Sequence, residues 1–166
     1  MPIIHKPDGW YWGSKGPFTT RGDAQKVANA AYANGYKQES LMSENIVAEF
    51  IGTLLHSATL THFKHFSVTG AGSYAAHQAL STYYDEIVDL VDTVTEAIQG
   101  KYQVIISGYP NTFGNTDAEP LAYLLNLKDY VALTRVKLPQ DSEIQNEIDN
   151  IANLINFTCY KLRFLA

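Results

Sequence analysis

The chain has 166 residues, of which 46% are hydrophobic, and carries a net charge of −5. This length suits one domain with a small appendage, and the hydrophobic content supplies a core of ordinary size. The charge is uneven: five basic and three acidic residues among the first 40 leave +2, whereas seven basic and fourteen acidic residues in the remainder leave −7. An acidic body suits cation capture and argues against DNA binding.

We expect neither an export signal nor a membrane-spanning segment in this sequence. No apolar core of adequate length follows Met1, and no run approaches the 18 apolar residues of a membrane span. The single cysteine, Cys159, excludes an intrachain disulfide, and its place among apolar helix positions predicts a buried thiol. We therefore expect a cytoplasmic protein that does not enter the membrane.

Residues 1–40 are predicted to form a small ββα appendage to a helical body of residues 41–166. The turn sequence Pro7-Asp8-Gly9 between two apolar runs predicts a β-hairpin. Alternation along its second strand puts Trp10 and Trp12 on one side, where we expect them to form local core rather than a ligand platform.

The helix of the appendage follows a predicted loop at residues 14–17. Thr19 or Thr20 can cap its first turn, because a hydroxyl oxygen accepts a hydrogen bond from a free backbone N–H. Asn34-Gly35 is predicted to end it, since glycine readily takes the left-handed conformation.

Four helices are predicted in the body, because apolar residues recur there at helical spacing. They run from about Ser43 to a turn at 69–73, from that turn to about Gln99, from about Asp117 to Val136, and from Asp141 or Ser142 onward. The connection before the third helix is long, and a short strand or a short helix is predicted in it at 104–106. This pattern suits an up-down, crossover, up-down bundle of ferritin type.

Four side chains able to bind a metal lie in and just before the second of these helices: His65, His77, Asp92 and Glu96. Asp92 and Glu96 share a helix face, whereas His77 lies fifteen residues before Asp92, roughly 22 Å along a helix axis. One ion cannot bridge that distance within a straight helix. Either the residues are unrelated, or the acids of one copy meet the imidazoles of another across a two-fold axis that pairs these helices antiparallel.

The acids of this helix form a stripe that lacks basic neighbours. Asp85, Asp89, Asp92 and Glu96 follow a 4-3-4 spacing, and no lysine or arginine occurs between residues 72 and 100. A merely solvated face usually includes compensating lysines, so the stripe favours a cation or the basic groups of a partner. His62, three residues before His65, is a second-rank ligand candidate.

These residues resemble the pattern of the Dps family, the mini-ferritins. His65 begins the sequence His-Phe-Ser-Val-Thr-Gly, His77 follows twelve residues later, and Asp92-Thr-Val-Thr-Glu completes the offsets of that family. The resemblance covers about residues 43–100, is weaker in the last helix and does not extend to the first 40 residues. Three positions differ: the family usually has Trp where this chain has Phe66 and Arg where it has Ala97, and some members have a further acid where it has Ser81.

The resemblance implies a mainly α protein, a ferritin-like four-helix bundle with a crossover connection. It also implies a homo-oligomer, a dodecamer, with an iron-oxidation site at each two-fold interface. His65 and His77 of one subunit and Asp92 and Glu96 of its neighbour would bind iron, and zinc could take the same ligands. The implied function is ferroxidase activity and iron storage.

One further observation bears on this function. No Glu-x-x-His motif occurs in the chain, which argues against the intrachain di-iron site of larger ferritins. The alternative is a non-catalytic assembly protein, such as a virion or shell component, which uses the ferritin-like bundle as a scaffold and the appendage for contacts between subunits.

Overall fold

The computed structural model describes residues 3–13, 15–33, 44–111, 114 and 117–166. These residues are mainly helical, with a small antiparallel sheet near the N-terminus. The elements are β1 (Ile3–Lys6), β2 (Gly9–Trp12), β3 (Lys15–Phe18), α1 (Arg21–Ala33), α2 (Glu44–Ser67), α3 (Ser73–Tyr102), α4 (Pro120–Arg135) and α5 (Ser142–Phe164). The chain divides into two compact units, Met1–Ser40 and Leu41–Ala166. None of the helices in the described ranges is both long and apolar enough to cross a membrane.

The first unit is a three-stranded antiparallel sheet, ordered β1-β2-β3, with α1 packed against it. The predicted hairpin is confirmed: Ile3 pairs with Trp12 and His5 with Trp10. Trp12 is buried, as are Ala24 and Ala28 of α1, so the prediction that this tryptophan forms local core is correct. Small alanines on α1 let the helix approach the sheet closely enough to cover the indole.

The third strand corrects the predicted ββα order to βββα. A loop was expected at residues 14–17, but Lys15 pairs with Trp12 and Phe18 with Trp10. Pro17 indicated a loop because proline cannot donate to a strand ladder. It is tolerated here because β3 is an edge strand, where the missing donor interrupts no second ladder.

Thr20 is the residue that caps α1. The Asp23 backbone N–H donates to Thr20 Oγ1 at 3.2 Å, and the Thr20 hydroxyl donates to the Asp23 carboxylate at 2.8 Å. This reciprocal pair satisfies one of the free N–H groups of the first turn. The predicted end at Asn34-Gly35 lies outside the described residues.

The second unit buries one apolar core between α2, α3, α4 and α5. α3 packs along both α2 and α5, and α4 packs along α5 and, over a shorter length, along α2. Each of the four helices contributes a fully buried stripe to that core, with members such as Leu54, Ile87, Leu124 and Ile151. The predicted burial of Cys159 is also confirmed, and burial raises the pKa of its thiol.

The predicted end of α3 was wrong by three residues. Gly100 lies inside the helix rather than past its end, and Gln103 takes the left-handed conformation at φ 53°. The helix continues because Lys101 and Tyr102 bind acids at the start of α5, so their contacts stabilise an extra turn.

The segment after α3 forms neither the strand nor the short helix that was predicted at 104–106. The Ile106 backbone N–H donates instead to the Gln99 side-chain oxygen at 2.9 Å, and the Ile106 side chain enters the core. A side-chain acceptor thus replaces the secondary structure that the apolar sequence indicated.

The start of α4 differs from expectation, and the predicted cap of α2 cannot be compared. α4 begins at Pro120 rather than near Asp117, because proline suits the first helical position, where no N–H is needed. The predicted cap of α2, Ser43, lies outside the described residues. Asp141 precedes α5 as predicted, but its side chain makes no capping hydrogen bond.

Candidate functional site

The two histidines are brought together by the tight turn between α2 and α3. The chain reverses over residues 68–72, where Gly70 and Gly72 have φ values of 88° and 77°. A Cβ at Gly72 would lie 2.3 Å from the carbonyl carbon of Ala166, so both conformation and space require glycine there. His65, at the end of α2, therefore faces His77, in the second turn of α3.

The backbone of each histidine holds the imidazole of the other. Nδ1 of His65 lies 3.0 Å from the His77 carbonyl oxygen, and Nδ1 of His77 lies 3.2 Å from the His65 carbonyl oxygen. The rings stack with centroids 3.5 Å apart and planes 26° apart. A carbonyl oxygen only accepts, so each Nδ1 must carry the proton and donate it.

This arrangement selects one tautomer for both neutral imidazoles. The second nitrogen, Nε2, then has a free lone pair, and neither Nε2 has a hydrogen-bond partner within the described residues. Orientation of a histidine by an Nδ1–H to a backbone carbonyl is the usual outer contact of a metal ligand. His65 is only 8% exposed as a residue, and its Nε2 is the ring nitrogen left to bind a cation.

An aromatic group surrounds the histidine pair. Tyr84 stacks on His62 with centroids 4.0 Å apart and meets His65 edge-on at 5.3 Å. His62 is 5.8 Å from His65 between ring centroids, so it borders the pair without joining the stack. Phe66 contacts both His62 and His65 and is 70% exposed. Sequence reasoning missed Tyr84, although it lies seven residues after His77, about two helical turns along the same face.

The two acids lie elsewhere on the same helix. His77, Asp92 and Glu96 all belong to the unbroken α3, so the roughly 22 Å between His77 and Asp92 along the axis applies here. Both acids are exposed. Within the described part of one chain, no group of three or more His, Cys, Asp and Glu side chains is arranged to hold a metal. The structure thus joins His65 to His77 and leaves Asp92 and Glu96 apart from them.

The acidic stripe on α3 is exposed along its length. Asp85, Asp89, Asp92 and Glu96 all face solvent. The ion pairs found among the described residues join other groups: Lys26 with Asp23, Lys101 with Asp141 and Glu143, and Arg135 with Asp149. The stripe is therefore a row of four carboxylates available to a cation or to a second molecule.

The comparisons with known proteins identify a family for this chain. Residues 65–162 match one family, which is described as "Family of unknown function (DUF5856)". No curated protein and no solved structure matches the chain. The matched segment begins at His65, includes His77, Asp92 and Glu96, and extends through α4 into the last turns of α5. Because it covers more than half of the sequence, the chain belongs to this family of unknown function.

Proposed function

We propose that the protein oxidises and stores iron in the manner of Dps proteins, at sites formed between two copies of the chain. His65 and His77 of one copy, with Asp92 and Glu96 of a second copy, bind Fe(II) as the substrate. Imidazole suits Fe(II), whereas carboxylate oxygens favour the Fe(III) that is formed. With peroxide as oxidant, two Fe(II) give up two electrons, and peroxide with two protons leaves as two waters. A cytoplasmic location and an acidic storage cavity belong to the same proposal.

The observation that carries this proposal is the reciprocal hydrogen bonding of His65 and His77. Two imidazoles with fixed tautomers and adjacent rings, both with Nε2 free of hydrogen bonds among the described residues, form half of a metal site before any metal binds.

The second copy is needed because the acids cannot reach the histidines within one chain. An antiparallel pair of α3 helices related by a two-fold axis would bring His77 of each copy beside Asp92 and Glu96 of the other. The exposure of both acids and of Val88, at 37%, leaves this face of α3 accessible to such a partner. The resemblance extends this dimer to a dodecamer.

The contacts at the helix ends support the finer fold in this proposal, a ferritin-like four-helix bundle with a crossover. The Tyr102 hydroxyl donates to Asp141, which puts the end of α3 beside the start of α5. Lys64 Nζ donates to the Ala118 carbonyl oxygen, which puts the end of α2 beside the start of α4. Since α3 itself starts beside the end of α2, these contacts support a crossover connection between α3 and α4.

Mixing two inactive variants tests the intersubunit site. His65→Ala/His77→Ala lacks the imidazoles, and Asp92→Asn/Glu96→Gln lacks the carboxylates. Each variant alone should fail to oxidise Fe(II) with peroxide, measured as growth of ferric absorbance. Co-expressed at equal levels, random pairing should restore about a quarter of the sites, because half of the dimers are mixed and each has one complete site.

Two results would contradict the proposal. Oxidation by either variant alone at the wild-type rate would put the site elsewhere, and no recovery in the mixture would mean that the ligands do not come from two copies. As a matched control, Asp117→Asn/Asp129→Asn removes the same charge from two exposed acids outside α3 and should leave oxidation unchanged.

A specific surface favours the second candidate function, a non-catalytic assembly protein. Phe157, Tyr160 and Phe164 of α5 are 64%, 54% and 67% exposed, and their spacing puts them on one helix face. Exposed aromatic groups of this kind mark protein contacts. An oligomer that forms fully but does not oxidise Fe(II) would favour this function over the first.

A further inference from the structure

We infer that a divalent cation strengthens the association of the two copies, so that assembly of the α3–α3 contact is itself metal-dependent. The inference rests on the proposed function, because the cation binds at the same intersubunit site. It goes further in making the metal a structural link between copies as well as a substrate.

The charge on α3 opposes this contact when metal is absent. Asp85, Asp89, Asp92 and Glu96 are exposed on each copy, and no ion pair in the described residues neutralises any of them. Helix α3 has no lysine or arginine before Lys101, and an antiparallel pairing that sets His77 opposite Asp92 and Glu96 brings Asp85 and Asp89 of the two copies together near the two-fold axis. Like charges apposed across an interface weaken binding, and at these short separations salt screens them incompletely.

The apolar surface on the same face is small. Val88 is 37% exposed, and Tyr74, at 76%, lies near the start of the helix. Stable dimer contacts normally bury a continuous apolar centre from which charges are depleted. This face instead exposes several carboxylates and little apolar surface, so a further attraction must offset the carboxylate repulsion.

The buried histidine is the second observation, independent of the acids, that points to a cation. His65 is 8% exposed and its Nδ1 is committed to the His77 carbonyl, which leaves Nε2 as an acceptor without a partner among the described residues. A cation bound there and by Asp92 and Glu96 of the second copy would link the two copies and offset the repulsion between the acids near the two-fold axis. By linkage, a cation that binds the dimer more tightly than the monomer lowers the dissociation constant of the dimer by the same factor.

The ligand set also predicts which cations can act. Imidazole nitrogen favours Zn(II), Co(II) and Fe(II), whereas Mg(II) prefers oxygen ligands and retains its waters. Zn(II) is the best probe, because it has no redox chemistry and separates assembly from iron oxidation.

Sedimentation velocity of the full chain tests the inference. After removal of metal with EDTA, addition of Zn(II) should lower the dissociation constant for self-association at least about tenfold, and Mg(II) at the same concentration should not. Equal association in EDTA and in Zn(II) would overturn the inference. Recovery of iron oxidation by the mixed variants would then still support the intersubunit site, so the two failures can be told apart.

Two variants test the two halves of the argument. His65→Ala/His77→Ala should lose the response to Zn(II) but keep weak association in EDTA. Asp85→Asn, near the two-fold axis, should associate more strongly than wild type in EDTA and still respond to Zn(II), because it removes repulsion and no ligand. Weaker association of this variant in EDTA would contradict the role of repulsion, and Asp117→Asn/Asp129→Asn should behave as wild type.

Discussion

Tyr83 and Ser57 form a buried hydroxyl pair between α3 and α2. Their oxygens are 2.7 Å apart, and the Ser57 hydroxyl lies 2.6 Å from the Leu54 carbonyl oxygen. Since that carbonyl can only accept, Ser57 donates to it and accepts from Tyr83. Burial raises the pKa of Tyr83, so the phenol remains a neutral donor. Ser57 lies about two turns before His65, so this bond helps to set the alignment that places the histidines opposite each other.

Tyr83→Phe should therefore destabilise the body of the protein. The substitution keeps the ring but removes the donor, and we expect the free energy of unfolding to fall by about 1–2 kcal/mol in urea denaturation. Tyr160→Phe is the matched control, because this tyrosine is 54% exposed, and the change should stay within about 0.5 kcal/mol. Equal losses in the two variants would show that the buried bond contributes nothing of its own.

The residues of the candidate site were predicted from sequence more completely than their geometry. The offsets of His65, His77, Asp92 and Glu96 selected all four side chains, and helical rise alone showed that the acids lie far from His77. The exchange of Nδ1 hydrogen bonds with the opposite backbone was beyond prediction, because it depends on the turn that aligns the two helices. Tyr84 was missed for the same reason, since its contact with His62 arises between helices.

At the scale of elements, the end of α3 is tied to the start of α5 by Lys101. Its ammonium group contacts Asp141 at 3.0 Å and also binds Glu143, and the Tyr102 hydroxyl donates to Asp141. Hydrogen bonds from Tyr102 and then Lys101 lower the pKa of Asp141, and the bond from Lys101 lowers that of Glu143. The bonds to Glu143 and Asp141 raise the pKa of Lys101.

These shifts define how stability should change with pH. The lowered carboxyl pKa values stabilise the fold above their ordinary values of 3.8 and 4.5, and this contribution is lost as the pH falls below them. The raised pKa of Lys101 stabilises the fold below its ordinary value of 10.5, and this contribution is lost as the pH rises above it.

Lys101→Met should flatten both limbs of this profile. In urea denaturation we expect a smaller loss of stability below pH 4.5 than in wild type, with part of the loss remaining because Tyr102 still binds Asp141. Above pH 10.5 the Lys101 contribution should disappear. Lys128→Met removes an exposed lysine for which no ion pair is found in the described residues, and should keep the wild-type profile. A flattened profile in both variants would trace the effect to net charge instead.

The elements themselves were predicted unevenly, and the differences have a common cause. Long apolar stripes predicted α2, α3 and α5, because helix-spaced burial over many turns leaves few alternatives. The third strand and the last turn of α3 depend on contacts with other segments, so Pro17 and Gly100 gave the wrong local indication. The segment at 104–106 is held by the Gln99 side chain, which no periodic pattern reveals.

At the scale of the whole molecule, the proposed dimer has a defined geometry. If His77 of one copy lies opposite the middle of Asp92 and Glu96 of the other, the two-fold axis passes close to Asp85 and Glu86, halfway between these positions. Packed helices have axes about 8–10 Å apart, so facing Cα atoms near the axis lie within reach of a short covalent link. A residue near a two-fold axis meets its own equivalent in the second copy.

Asp85→Cys in a Cys159→Ala background should therefore cross-link one copy to another. Treatment with a short thiol-to-thiol reagent in the presence of Zn(II) should convert most of the protein to a covalent dimer on a denaturing gel, because the two new thiols meet at the axis. Asn153→Cys, at an exposed position on α5, should remain monomeric under the same treatment. Cross-linking at Asn153→Cys without cross-linking at Asp85→Cys would place the contact between copies on α5, and Asp92 and Glu96 of a neighbour could not then complete a site with His65 and His77.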